Sequence, residues 1–184
     1  FLNSPSTGND PYGALYSGIQ RANIVLRYID QIPASGITEE DRSMIKGEAL
    51  FLRGYQYFLL VNNYKEVPLR LIPSNEDETN KAAATEAALW AQVEEDLDNA
   101  IKCNLPVERS TAKERITKGA AIAMLGKVYA TQHKYPEAKQ LLGTLLKAPY
   151  SYELMDNFEK NFTNEEEFNK ESVFELAYSP DGDY

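Results

Sequence analysis

The sequence predicts a mainly α-helical protein built from tetratricopeptide-like hairpins joined by irregular proline-containing loops. Three observations carry this. Apolar residues recur at steps of three and four through five segments. Four of those segments open on an Asp or Thr cap or on a proline. One pair of segments, Gly119 to Tyr150, follows the tetratricopeptide register.

Asp10-Pro11 opens the first helix, with Leu15, Ile19, Ala22, Leu26 and Ile29 as its stripe; it ends by Pro33 and Ser35-Gly36. Thr38 caps the second, with Asp41 three positions on in a variant of the capping box. From Glu39 to Val61 two apolar rows run side by side, Ile45, Ala49, Leu52 and Leu59 beside Met44, Phe51, Tyr55 and Phe58. A face that wide is buried by more than one neighbour. Glu48 falls inside it and needs a partner or a place at the rim. Gly47 and Gly54 cost helix propensity and predict close helix contact.

Val67-Pro68-Leu69 and Ile72-Pro73 predict an ordered, extended segment, followed by a polar loop at 75–81. A third helix is expected from Thr85 to Lys102, with Leu89, Val93, Leu97 and Ala100 inward and most of Glu94, Glu95, Asp96 and Asp98 solvated. Thr117 caps a fourth helix through Thr131, and Tyr135-Pro136 opens a fifth through Lys147. Val173 to Tyr178 predicts a short strand. In the register counted from Gly119, Ile122, Leu125, Gly126 and Tyr129 take the first-helix positions, and Ala138, Leu142 and Leu145 those of the second. Gly54 and Tyr57 repeat the Gly-to-Tyr spacing, but the proline segment stands where the next helix belongs.

Composition narrows function. With 28 Asp and Glu against 19 Lys and Arg, the formal net charge is -9, and the basic residues are scattered singly. Such a field repels nucleic acid and anionic lipid. Twelve Tyr suit helix interfaces and sugar or peptide surfaces alike. No apolar stretch is long enough to cross a membrane as a helix. The opening Phe1-Leu2-Asn3-Ser4 reads as the start of a piece of a longer protein.

Catalytic and metal chemistry finds little purchase. One His and one Cys supply no zinc set. His133 reads as a turn residue, Cys103 as a small apolar filler and Trp90 as a core or interface anchor, with a sugar-stacking role as its alternative. Glu165-Glu166-Glu167 and Glu94 to Asp98 are the carboxylate runs from which a glycosidase pair would come, and both read as solvated. Asp181-Gly182-Asp183 lacks the twelve-residue calcium loop. No catalytic, cofactor-binding or metal residue is assigned, no cofactor is expected and the ligand-binding residues are not identified.

Tyr16-Ser17-Gly18-Ile19-Gln20-Arg21-Ala22-Asn23-Ile24-Val25-Leu26, Gly47-Glu48-Ala49-Leu50-Phe51-Leu52-Arg53-Gly54-Tyr55, Val67-Pro68-Leu69, Asp96-Leu97-Asp98-Asn99-Ala100, Thr117-Lys118-Gly119-Ala120-Ala121 and Glu171-Ser172-Val173-Phe174-Glu175 follow one another along the chain, and together they resemble the SusD/RagB family of surface glycan-binding lipoproteins of Bacteroidetes. Lys65-Glu66 stands where the family often has Gly before Val-Pro-Leu. The resemblance implies that residues 1–184 form one N-terminal helical domain of a longer protein, lipid anchored on the outer face of the outer membrane. It implies non-catalytic binding of oligosaccharide or peptide nutrients and partnership with a SusC-like TonB-dependent transporter. The helices would serve mainly as scaffold and transporter contact, with the ligand pocket drawn largely from elsewhere. A tetratricopeptide-type protein-interaction domain is the alternative.

Overall fold

The computed structural model describes residues 10–74 and 80–176. It contains five α-helices: α1 (Pro11–Tyr28), α2 (Glu39–Tyr64), α3 (Glu86–Lys102), α4 (Lys118–Thr131) and α5 (Tyr135–Leu142). Among the described residues there is no strand, only an isolated antiparallel bridge between Pro68 and Ala83. Chain contacts define two compact units, Phe1–Asn104 and Leu105–Tyr184.

The helices begin where capping chemistry places them. Asp10, Thr38, Thr85 and Thr117 each accept a hydrogen bond from a first-turn backbone N–H. At Thr38 the exchange is reciprocal: its Oγ1 accepts from the Asp41 N–H at 3.0 Å and donates to Asp41 Oδ2 at 2.7 Å. After α1 the chain tightens into a 3-10 turn, Ile29–Gln31. The buried Arg42 closes that turn from α2, donating to the Ile29 carbonyl and to the Ile32 carbonyl at 2.6 Å. It thereby satisfies acceptors that a helix end leaves free.

In the first unit α2 packs against both α1 and α3. Its buried surface differs from the expected rows. Leu52 is 40 % exposed and Leu59 is half-buried. Leu50, Arg53, Gly54, Tyr57, Leu60 and Val61 face inward instead. Polarity is a poor guide here because Arg53 and Tyr57 carry donors that the interior uses. Gly54 sits at the α2–α3 crossing: a Cβ there would meet Leu97 Cγ at 3.1 Å and Asp96 Cβ at 3.2 Å. The expected close approach is therefore real.

In the second unit α4 and α5 form the hairpin of the repeat register. α4 buries Gly119, Ala120, Ala121, Ile122, Met124, Leu125, Gly126 and Val128. A Cβ on Gly126 would overlap the Leu142 side chain, which is why small residues occupy this crossing. The turn between the helices passes through His133 at φ 61. α5 is shorter than expected, because the backbone tightens into a 3-10 turn at Gly143–Leu146. Two more 3-10 turns follow, Phe158–Phe162 and Asn164–Glu166. The expected strand is not formed over Val173–Leu176, where no ladder partner is present among the described residues and the Glu175 carboxylate instead accepts from the Phe168 N–H at 3.1 Å. Ala177 and Tyr178 lie outside the described residues, as do most of the polar loop at 75–81 and Asp181-Gly182-Asp183.

Candidate functional site

Residues 65–74 are the extended segment predicted from the two prolines. Outside helix and sheet, its backbone groups need other partners. Side chains of α1 and α2 supply them. Tyr16 donates to the Pro68 carbonyl at 2.6 Å. Asn23 Nδ2 donates to the carbonyls of Arg70 and Ile72 at 3.1 and 3.2 Å. The Tyr57 hydroxyl donates to the Arg70 carbonyl at 2.9 Å and accepts from the Arg70 N–H at 2.7 Å. Gln20 Oε1 accepts from the Ser74 N–H at 2.7 Å. The far side is closed by Ala84, whose N–H donates to the Val67 carbonyl at 2.9 Å.

Beneath the segment lies a buried charge pair. Arg53 Nε and Nη2 donate to the two carboxylate oxygens of Asp96 at 2.8 and 2.7 Å. Arg53 Nη1 donates to Asn23 Oδ1 at 3.0 Å, and Gln92 Nε2 donates to Asp96 Oδ1 at 3.0 Å. Asn23 and Asp96 are each 1 % exposed. A fork-to-fork pair of this kind is the form in which burial of charge is tolerated. Burial is also the leading reason that the Tyr16 and Tyr57 hydroxyls are pushed well above the usual tyrosine range.

This network holds one wall of a groove of about 420 Å³, lined by Tyr12, Tyr16, Gln20, Asn23, Pro68, Arg70 and Ser74 among others. Tyr12 packs against Tyr16 with ring centroids 4.9 Å apart, and Tyr64 meets Tyr12 edge-on at 5.1 Å. The groove therefore combines aromatic faces with fixed backbone and amide groups, the composition of a site for a small polar molecule with an apolar face.

The residues singled out from sequence have other roles. Asp96, expected to be solvated, is buried because it shares the α3 stripe of Leu89, Val93 and Ala100 and finds Arg53 opposite. Trp90 anchors α3 to α2: its Nε1 donates to Glu86 at 3.2 Å and its ring meets Phe58 edge-on at 6.0 Å. Lys65 and then Trp90 hold the Glu86 carboxyl below the usual range. His133 is an exposed turn residue whose Nδ1 lies 2.8 Å from the Tyr135 hydroxyl. Cys103 ends α3 and is half-buried. Glu48 sits half-buried at the rim of a depression between α1 and α2. Of the acidic triplet, Glu165 and Glu167 are exposed, and Glu166 pairs with Lys160 at 3.1 Å. Among the described residues no group of three or more His, Cys, Asp or Glu is placed to hold a metal, and no helix is long and apolar enough to cross a membrane.

Arg53, Asn23, Tyr16 and Tyr57 escaped sequence reasoning as site builders. Only Asp96 carried a signal, since it stands on the stripe of Leu89, Val93 and Ala100, where an unpaired charge is costly.

The fold defines the class: a helical protein whose first unit clamps an extended segment between α1 and α2. The chain belongs to the SusD-like family, as a family profile described as starch-binding, associating with outer membrane, matches residues 4–130. It is similar in structure to a laminarin-binding SusD-like protein, at 34 % identity and TM-score 0.82, over 93 % of this chain and 38 % of that one. A SusD superfamily protein from Bacteroides vulgatus matches at 32 % identity and TM-score 0.82, over 96 % of this chain and 41 % of that one. A SusD-like protein from Bacteroides fragilis matches at 28 % identity and TM-score 0.77, over 92 % and 34 %. The chain thus spans roughly two fifths of the length of the first two of these relatives. A search of curated proteins found no match.

Proposed function

We propose that this chain is the N-terminal helical domain of a non-catalytic nutrient-binding protein. That protein takes up oligosaccharides, or peptides, at the outer face of the outer membrane, where a lipid anchor holds it. It passes them to a SusC-like TonB-dependent transporter. The observation that carries the reading is the likeness, over nearly the whole chain, to a laminarin-binding SusD-like protein.

The helices serve mainly as scaffold and transporter contact. Exposed apolar side chains on α1 and α2 suit that contact: Leu52, two fifths exposed, lines a depression with Ala22, Ile45 and Ala49, and Ile24 and Tyr28 of α1 are exposed to the same degree. The Tyr12–Tyr16 groove offers the ligand one aromatic wall. Its rigidity comes from the hydrogen bonds that pin the extended segment, so little ordering cost falls on binding.

The test is calorimetric titration of laminarin, other neutral glucans and a peptide pool into the protein expressed from the whole gene. Binding of a glycan, weakened about fivefold by Tyr12→Ala, is the expected result. Absence of binding to every glycan and peptide, with retention of a transporter in pull-down, favours a plain tetratricopeptide-type interaction domain instead.

A further inference from the structure

We propose that the second unit carries its own saccharide subsite, a cleft in which a neutral pyranose ring stacks on the paired rings of Tyr150 and Tyr152. The choice of ligand class rests on the glycan-binding reading; the site rests on geometry. The cleft has a volume of about 300 Å³, at the lower end of the range of small-molecule sites. Tyr150, Ser151 and Tyr152 lie outside helix. Their two tyrosine rings lie nearly parallel, 11° apart in plane with centroids separated by 6.1 Å. Both residues line the cleft.

The Tyr152 ring is fixed before any ligand arrives. The Tyr152 hydroxyl is hydrogen-bonded to Thr117, the N-cap of α4. It lies so close over Gly119 that a Cβ there would overlap it. Three cations, Arg109, Lys113 and Lys170, and two anions, Glu108 and Glu175, line the cleft. Arg109 and Lys113 stand against Glu108 and Glu175 in the lining, while Lys170 is engaged by Glu153 at 3.3 Å. The Arg109 guanidinium is itself held by the Ile116 carbonyl at 3.1 and 2.9 Å. With Lys170 paired to Glu153 outside the lining, the remaining cations are matched by Glu108 and Glu175, so a phosphate or an acid gains little there. The cleft suits a molecule with an apolar ring face and a rim of hydroxyls, which those side chains and Ser151 can bond.

The experiment uses protein expressed from the whole gene, labelled with 13C in its tyrosine rings and titrated with laminarihexaose and with oligosaccharides of the other neutral glucans. Ring resonances of Tyr150 and Tyr152 should shift on saturation. Tyr150→Ala should weaken binding about fivefold while Tyr150→Phe keeps it. Unmoved Tyr150 and Tyr152 resonances with binding intact overturn the subsite and leave the glycan reading standing. Binding of none of the glucans overturns both.

Discussion

The guanidinium of Arg53 and the carboxylate of Asp96 face each other fork to fork across the α2–α3 interface, with both bonds under 2.9 Å. Neither side chain is more than 9 % exposed. The pair also reaches outward: Arg53 orients Asn23, and Asn23 holds two carbonyls of the extended segment. Removing one partner strands the other in the interior. Asp96→Ala should cost about 3–5 kcal/mol of stability, whereas replacing both, Arg53→Met with Asp96→Leu, should recover much of it. Urea unfolding of the three variants measures this. A double variant no more stable than Asp96→Ala would show that the pair does more than compensate its own burial.

The Tyr57 hydroxyl both donates to and accepts from the backbone of Arg70. Tyr57→Phe leaves the Arg70 N–H without that acceptor and should cost about 1–3 kcal/mol. Hydrogen exchange should show residues 65–74 losing protection before the helices do.

Alkali tests the same hydroxyl. Burial raises the Tyr16 and Tyr57 ionisations above the ordinary 10.0. Above that pH the unfolded chain has released these protons while the folded chain keeps them. Their contribution is therefore complete below pH 10.0 and is lost progressively as the pH rises beyond it. Unfolding midpoints should fall more steeply above pH 10 for the parent than for Tyr57→Phe.

Gly126 gives way to Leu142 at the α4–α5 crossing. Gly126→Val should cost about 1–3 kcal/mol by overpacking. Adding Leu142→Ala should restore part of it by opening the space. Exchange protection of α5 amides reports the effect within the second unit.

His133 turns the chain at positive φ, a conformation that His and Asn tolerate better than branched residues. His133→Asn should be close to neutral, and His133→Val should cost about 1–2 kcal/mol. Thermal unfolding distinguishes these outcomes. Equal losses for both would assign the effect to the Tyr135 contact instead.

Much of this architecture was legible in the order of residues because it depends on local chemistry. Caps at Asp10, Thr38 and Thr117 act within one turn, and the apolar stripes repeat with the helix. The Gly126–Leu142 crossing was legible as well, since the tetratricopeptide register encodes a local hairpin. The prolines by themselves marked residues 67–73 as extended. The reading failed where a residue's role depends on a partner far along the chain. Asp96 looked like one of four surface acids, because nothing in its own neighbourhood points to Arg53, 43 positions away. The outward turn of Leu52 and the inward turn of Arg53 follow from α2 lying against two neighbours at once, which no single stripe specifies. Local propensity and spacing determined the helices; the burial of charge, the clamping of the extended segment and the two tyrosine-lined clefts were decided by tertiary packing, because desolvation and hydrogen-bond satisfaction are settled only when distant groups meet.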